Sequence, residues 1–305
     1  MYKRHAIALI ITVFFIMVIT TALGVALKQV KDAGDEIHRQ DFLLQTNIIL
    51  EDVLKILHNS KELEALATEE TGDALYVFLS QASFIPFEHS GISITLELQS
   101  ARSMFNINAL VDDKGEFDED RLGSLVEYFR MHNINTDYIG MLQDNVKQTK
   151  GDDAYYNSEI FTENPFLFRD YIASKKHLQT INNFFMRYNN DNSLEEIKFD
   201  ELFYFSKDRK TKIDLNYATA QTWRLLVRCD EVRAEELSFS GGGLTKVSDL
   251  NLTAEETTLL KYFDTSFYEP LLDVRVEIRE GSLSSKIRFE YDMKTKKGSN
   301  FVYEI

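Results

Sequence analysis

The sequence predicts an α+β fold, in which a long N-terminal helix packs on an antiparallel sheet and a large all-helical domain is inserted between the strands. Three observations predict it. An uncharged apolar run at residues 6–27 is followed by apolar residues at helical spacing over residues 30–66, and no proline occurs before Pro86. Residues 91–100 and 273–305 contain stretches that alternate between apolar and polar side chains, as half-buried strands do. Between these strands the pattern is helical, with polar loops separating short helices.

Composition limits the class of protein. The 305 residues suffice for about two domains, and 44% hydrophobic residues can form a core. The formal net charge of −15 repels phosphate, so nucleic acid is not an expected partner. Cys229 is the single cysteine, which excludes an internal disulfide and is expected to be a small core residue.

The N-terminal segment predicts a membrane anchor. Residues 6–27 carry no charge and are long enough to cross a bilayer core of about 30 Å. Lys3 and Arg4 precede them, which favours a cytoplasmic N-terminus and export of everything that follows. A cleaved secretory signal peptide is the alternative, although its apolar region is normally only about 7–15 residues long.

A single continuous helix is predicted over residues 6–60, with a length of roughly 80 Å. Its second half is amphipathic, and one apolar face is predicted to lie on the folded domain. The residues assigned to this face and its continuation are Ile37, Leu44, Ile48, Val53, Ile56, Leu57 and Leu63.

The pattern of the remaining chain divides it into two units. Residues 61–107 and 271–305 are predicted to form the sheet-bearing unit, and residues 108–270 the inserted helical domain. Strands are predicted at 74–80, 91–100, 273–279, 286–291 and 301–305, and helices at 119–133, 173–189, 219–229 and 254–263.

An acidic loop at residues 143–153, "QDNVKQTKGDD", is the best metal candidate in the sequence. Asp144, Asn145, Asp152 and Asp153 supply the hard oxygen ligands that calcium prefers. A solvated acidic loop without an ion is the alternative. The sequence shows no catalytic motif, so an enzyme is not expected.

Two corners of the chain repeat one pattern, "FNINAL" at 105–110 and "IDLNYA" at 213–218. In each, an extended segment ends and a helical run follows. Asn108 and Asn216 are therefore predicted to be helix N-caps. The glycine-rich segment "SGGGL" at 240–244 is predicted to be a flexible loop between helices, since it lacks the lysine of a phosphate-binding loop.

Five segments in order resemble the minor pseudopilin K family of type II secretion systems. They are "KRHAIALIITVFF", "MFNINALVDDKGEFDEDRLGSLVEYF", "KGDDAYY", "NPFLFRDYIASKKHLQTI" and "KIDLNYATAQTWRLL". Two departures from a general prepilin stand at the N-terminus. His5 occupies the place of the usual leader glycine, and Ile10 the place of the usual glutamate, which the K family also tends to lack.

The resemblance implies a pilin-like fold and a non-enzymatic subunit of the pseudopilus, anchored in the inner membrane with its C-terminal domain in the periplasm. It implies a leader of residues 1–5, cut by prepilin peptidase between His5 and Ala6, with methylation of Ala6. It implies that Ile10, Phe14 and Val18 lie on the helix that joins minor pseudopilins I and J. It also implies capping of the pseudopilus tip, the start of assembly, and calcium in the acidic loop.

Two other functions share much of this pattern. A minor pilin of a type IV pilus would have the same leader and helix. A single-pass periplasmic binding or sensor protein would keep its helix in the membrane and lack pseudopilin partners. A periplasmic hydrolase is disfavoured by the missing motifs.

Overall fold

A computed structural model describes residues 28, 29, 34, 36–69, 71–89, 91–112, 114–147 and 155–304. The helices are α1 (residues 36–59), α2 (Lys61–Ala67), α3 (Asp73–Ala82), α4 (Glu119–Met131), α5 (Asp137–Val146), α6 (Glu159–Glu163), α7 (Lys175–Asn189), α8 (Phe199–Leu202), α9 (Ala220–Val227), α10 (Glu231–Phe239) and α11 (Ala254–Leu260). The strands are β1 (Phe84–His89), β2 (Ile92–Ser100), β3 (Phe105–Asn106), β4 (Phe203–Tyr204), β5 (Ile213–Asp214), β6 (Thr265–Ser266), β7 (Leu271–Glu280), β8 (Leu283–Asp292) and β9 (Lys297–Glu304).

The main sheet is assembled from two distant parts of the chain, as the sequence predicts. Its five strands are antiparallel in the order β1-β2-β7-β8-β9. The pairing of β2 with β7 joins the two parts and sets Leu96 opposite Val276. The alternation seen in the sequence places one row of apolar side chains on the inner face of the sheet, where they are buried.

Helix α1 covers this inner face, and the face predicted from the sequence is only partly the one that packs. Its buried residues are Phe42, Leu50, Val53 and Leu57. Ile37, Leu44, Ile48 and Ile56, which were assigned to the packed face, are 59–62% exposed. The prediction is confirmed for Val53, Leu57 and Leu63 and wrong for the other four residues. The reason is that α1 carries apolar residues on two sides, and a helical period alone does not tell which side meets the sheet.

The predicted strand at 74–80 is also wrong, since these residues belong to α3. Leu75 and Leu79 are four residues apart and both buried, which is the spacing of a helix face. The strand that the sequence analysis missed is β1, directly after α3. It contains Pro86, which is tolerated because β1 is an edge strand.

The inserted unit has a hydrophobic core of its own, centred on α9. This helix contacts α4, α8, α10 and α11, and its Trp223 is fully buried. The helices predicted at 119–133, 173–189, 219–229 and 254–263 are present as α4, α7, α9 and α11. Phe105 and Ile107 lie in this core rather than in the core of the sheet, so the helical unit begins a few residues before residue 108.

The first of the two repeated corners is held by Asn108. Strand β3 pairs in parallel with β4, and a 3₁₀ turn follows β3. The Oδ1 atom of the fully buried Asn108 accepts the N–H of Ile172 at 2.7 Å. Its Nδ2 atom donates to the C=O of Ile172 and to the C=O of Ser206, both at 3.0 Å. One side-chain amide thus satisfies both backbone groups of a residue 64 positions away.

The second corner repeats this arrangement with Asn216. Strand β5 pairs in parallel with β6. The Oδ1 atom of Asn216 accepts the N–H of Leu244 at 2.8 Å, and its Nδ2 atom donates to the C=O of Leu244 at 3.0 Å. A further bond from Nδ2 reaches the C=O of Phe267 at 2.6 Å. Again one buried amide satisfies both backbone groups of a distant loop residue.

In both corners, the residue two positions before the asparagine also binds it by a hydrogen bond. The Oδ1 atoms of Asn106 and Asp214 accept the N–H groups of Asn108 and Asn216, at 3.2 and 3.0 Å. The prediction that Asn108 and Asn216 are helix N-caps is therefore wrong. Asn106 caps the 3₁₀ turn and Thr219 caps α9, while the two predicted caps bind remote backbone instead.

The glycines of residues 240–244 are explained by the second corner. A Cβ atom on Gly241 would lie 2.3 Å from the backbone oxygen of Asn216, so only glycine permits this approach. Gly242 has a φ of +102° and donates its N–H to Oδ1 of Asn216 at 2.9 Å. Gly241 and Gly242 therefore pack closely against Asn216, and the segment is not the flexible loop that the sequence predicts.

We expect Asn108→Ala and Asn216→Ala each to lower the free energy of unfolding by roughly 2–4 kcal/mol, because each leaves buried backbone groups without partners. Thermal unfolding of the detergent-solubilised protein, followed by far-UV circular dichroism, measures this. Asn183→Ala on the exposed side of α7 is the control and should change little. A loss no larger than that of the control would contradict the role of the corners.

Candidate functional site

The surface that stands out for assembly is the α1 stripe, formed by the exposed Ile37, Leu44 and Ile48. Residues 37, 44 and 48 are seven and four positions apart, so they lie on one side of the helix. This side is opposite to the one that packs on the sheet. A helix that is apolar on two sides can bind its own domain with one and a partner helix with the other.

The residues predicted to carry processing and membrane insertion lie outside the described part of the chain. They are His5, Ala6, Ile10, Phe14 and Val18. Among the residues that the structure describes, none of the helices has the length and apolar character needed to cross a membrane.

The acidic loop is closed at its base by Asp144. The two carboxylate oxygens of Asp144 accept the backbone N–H groups of Tyr156 and Asn157, each at 2.9 Å. Burial raises the pKa of Asp144, and the two hydrogen bonds lower it in part. Asp144 therefore has a structural role: it links α5 to residues 156 and 157, on the other side of residues 148–154, which are not described.

Asn145 is fully buried beside His177. Its Nδ2 atom donates to the C=O of Met141 at 2.8 Å, and its Oδ1 atom lies 3.4 Å from Nε2 of His177. Burial lowers the pKa of His177 to about 4, so the imidazole is neutral at physiological pH.

The two predicted ligands in the described part of the loop, Asp144 and Asn145, make hydrogen bonds within the protein. The other two, Asp152 and Asp153, lie outside the described residues. Within the described residues no cluster of three or more His, Cys, Asp or Glu side chains could hold a metal ion.

A pair of residues that the sequence analysis missed joins the helical unit to the sheet. Arg102 follows β2 and forms an ion pair with Glu290 of β8 at 3.1 Å, with side chains only 8% and 13% exposed. The guanidinium of Arg102 also lies 4.9 Å from the ring centroid of Tyr204 in β4. Arg102 thus contacts both units at the point where the chain crosses between them.

Asp214 lies at the same junction and is fully buried. Its N–H donates to the C=O of Arg102 at 2.8 Å, and its Oδ2 atom accepts the N–H of Glu269 at 3.0 Å. Burial raises the pKa of Asp214 to about 7, more than its two backbone hydrogen bonds lower it. Apart from its place in the repeated corner, no pattern in the sequence marks Asp214 as a buried carboxyl.

The arrangement of α1, sheet and inserted helical unit can be compared with known proteins. No family model and no curated protein matches the sequence. Among solved structures, a chain in the crystal structure of the GspK-GspI-GspJ complex from the type 2 secretion system of enterotoxigenic Escherichia coli is similar, with a TM-score of 0.60 and 11% identity. The match covers 88% of this chain and 97% of that chain.

The chain has a GspK-like fold. The match spans both units, so the pilin-like α+β architecture with an inserted helical domain is confirmed. At this level of identity the likeness concerns the fold, and it agrees with the family that the five sequence segments resemble.

The buried carboxyl at the junction predicts a pH-dependent stability. The pKa of Asp214 is raised above its ordinary value, so its contribution is complete at low pH and is lost as the pH rises through about 7. Asp214→Asn removes this titration. We expect the free energy of unfolding of the wild type, relative to the variant, to fall by roughly 2–3 kcal/mol between pH 5 and pH 8.

Urea unfolding of both proteins in detergent at the two pH values measures this difference. A difference between wild type and variant that is the same at pH 5 and pH 8 would show that Asp214 does not titrate in this range.

Proposed function

We propose that this chain is a minor pseudopilin of a type II secretion system, a structural subunit that acts by assembling with other subunits. The observation that carries the proposal is the GspK-like fold over 88% of the chain. The α1 stripe supports it, because a folded domain that leaves an apolar helix side exposed is suited to lateral contact with other helices.

The proposed partners are minor pseudopilins I and J. The similar chain comes from a complex that contains GspK, GspI and GspJ. In the present chain, the α1 stripe follows the apolar segment 6–27 along the sequence, and Ile10, Phe14 and Val18 recur in that segment every four residues. One helix side would then contact lipid before assembly and partner helices afterwards, since both surroundings are equally dry.

The N-terminus is proposed to be processed as in prepilins. Prepilin peptidase would cut between His5 and Ala6, Ala6 would be methylated, and residues 6–27 would hold the subunit in the inner membrane with its folded part in the periplasm. The basic residues before an uncharged apolar run support this orientation.

The subunit is proposed to lie at the pseudopilus tip and to start assembly. Ile10 supports this position, because a glutamate there would need the free amine of a neighbouring subunit. The large helical unit adds bulk beside the sheet, which suits a subunit that caps a filament.

Calcium binding by the acidic loop stays a proposal. Asp152 and Asp153 offer two adjacent carboxylates, and Asp144 fixes the base of the loop through the amides of Tyr156 and Asn157. Carboxylates are hard ligands that suit calcium. When bound, the ion would neutralise charge in the loop and stabilise the fold.

We expect calcium to raise the melting temperature of the wild type, because a ligand that binds only the folded state stabilises it. The double variant Asp152→Asn with Asp153→Asn should lose this rise. Glu195→Gln with Glu196→Gln removes the same charge from an exposed turn elsewhere and serves as the control. A rise that persists in the first variant would contradict the assignment of the ligands.

The assembly proposal predicts contacts along the α1 stripe. We expect a photo-crosslinking residue at position 44 or 48 to form adducts with minor pseudopilins I and J in membranes, and one at the buried position 53 to form none. Leu44→Asp with Ile48→Asp should abolish the adducts and secretion while the melting temperature stays unchanged, since these side chains are exposed.

Val232→Asp on the exposed side of α10 introduces the same type of change away from α1 and serves as the control. Loss of pili or adhesion with intact secretion would instead favour a type IV pilus subunit. Absence of any adduct at positions 44 and 48, with an uncleaved Met1, would favour a membrane-anchored sensor.

A further inference from the structure

The helical unit contains a cleft of about 360 Å³ beside α7 and α8. The volume lies within the usual range of ligand clefts, roughly 300–1,000 Å³. Four apolar side chains contribute to its lining, those of Leu178, Ile197, Phe199 and Phe205. Its lining residues include none of the α1 stripe and none of the described residues of the acidic loop.

Asn182 gives the cleft a polar group of fixed orientation. Its side chain lines the cleft, and the residue is only 8% exposed. Its Oδ1 atom accepts the hydroxyl hydrogen of Tyr138 at 2.5 Å. Tyr138 is fully buried and burial raises its pKa well above the ordinary value, so it stays protonated and donates.

The Nδ2 atom of Asn182 makes no hydrogen bond with any residue that the structure describes. It is accessible from the cleft that Asn182 lines. Because Tyr138 occupies the oxygen, the amide hydrogens remain available to an acceptor in the cleft. The side chain therefore favours a ligand that carries a carbonyl oxygen.

The rim of the cleft carries both signs of charge. Lys175 pairs with Asp200, and Lys198 lies 3.5 Å from Glu201. Two carboxylates beside two amines disfavour phosphates and other polyanions, which need an excess of positive charge. Charges of both signs suit an uncharged peptide, whose N–H groups can face the carboxylates and whose C=O groups can face the amines.

We propose that this cleft binds an extended segment of another polypeptide chain. The segment places one apolar side chain among Leu178, Phe199 and Phe205, and a backbone carbonyl accepts from Nδ2 of Asn182. A peptide supplies the acceptor and the apolar group together at a fixed spacing. The proposal uses only residues of the helical unit and does not depend on assembly into a pseudopilus.

The test uses the full chain in detergent and a set of fluorescent pentapeptides, acetyl-Ala-Ala-Xaa-Ala-Ala-amide, with Xaa as Leu, Phe or Ser. Fluorescence anisotropy measures their affinities. We expect the Leu and Phe peptides to bind at least about tenfold more tightly than the Ser peptide, because binding removes their large apolar side chain from water.

Asn182→Leu should weaken binding of the Leu and Phe peptides about tenfold. Tyr138→Phe should also weaken their binding, because the amide of Asn182 is then no longer oriented by a hydrogen bond. Gln221→Leu is the matched control, since Gln221 likewise accepts from a buried tyrosine, Tyr128, at 2.6 Å but does not line the cleft. Near-UV circular dichroism checks that each variant is folded.

Four results would overturn the proposal. One is equal affinity for all three peptides, including no binding of any. Another is a folded Asn182→Leu protein that binds the Leu peptide as the wild type does, or a Gln221→Leu protein weakened as much as Asn182→Leu. The last is self-association of the chain that Asn182→Leu abolishes, which would assign the cleft to a second copy.

Discussion

The helical unit depends on satisfying the backbone of segments that have no regular hydrogen-bonding partner. Buried N–H and C=O groups must be paired, and an irregular segment cannot pair its own. Asn108 and Asn216 solve this problem in the same way. Each side-chain amide presents an acceptor and a donor side by side, and each binds both backbone groups of one distant residue, Ile172 or Leu244. The side-chain amide thereby makes the two hydrogen bonds that the backbone of a neighbouring strand would otherwise make.

This constraint connects the interior of the helical unit with its attachment to the sheet. The residue two positions before each asparagine binds the asparagine's own N–H and a remote N–H, that of Ser206 for Asn106 and that of Glu269 for Asp214. Glu269 directly precedes the segment that enters β7. The second corner therefore fixes both a loop of the helical unit and the return of the chain to the sheet, where Arg102 adds an ion pair. Chain connection and core packing are held by one set of bonds.

Sequence reasoning succeeded where one physical signal was dominant. Alternation predicted the strands that became β2, β7, β8 and β9, and helical spacing located α4, α7, α9 and α11. It failed where one sequence pattern is compatible with two different arrangements. The packed side of α1 was predicted only in part because the helix is apolar on two sides: Val53 is buried as predicted, whereas Leu44 is exposed. The prediction of Asn216 as a cap is wrong because capping and remote backbone binding use the same amide atoms. The polar group of the cleft was not predictable, since the orientation of Asn182 depends on a tyrosine 44 residues away.

Hydrogen exchange at two backbone amides tests the central claim most directly. If Asn108 and Asn216 hold the helical unit together, the amides of Ile172 and Leu244, which donate to them at 2.7 and 2.8 Å, should exchange only when the whole unit unfolds. Their protection should then match that of the α9 amide of Leu226. Exchange at Ile172 and Leu244 as fast as at an exposed loop residue such as Phe166, with Leu226 still protected, would contradict the account.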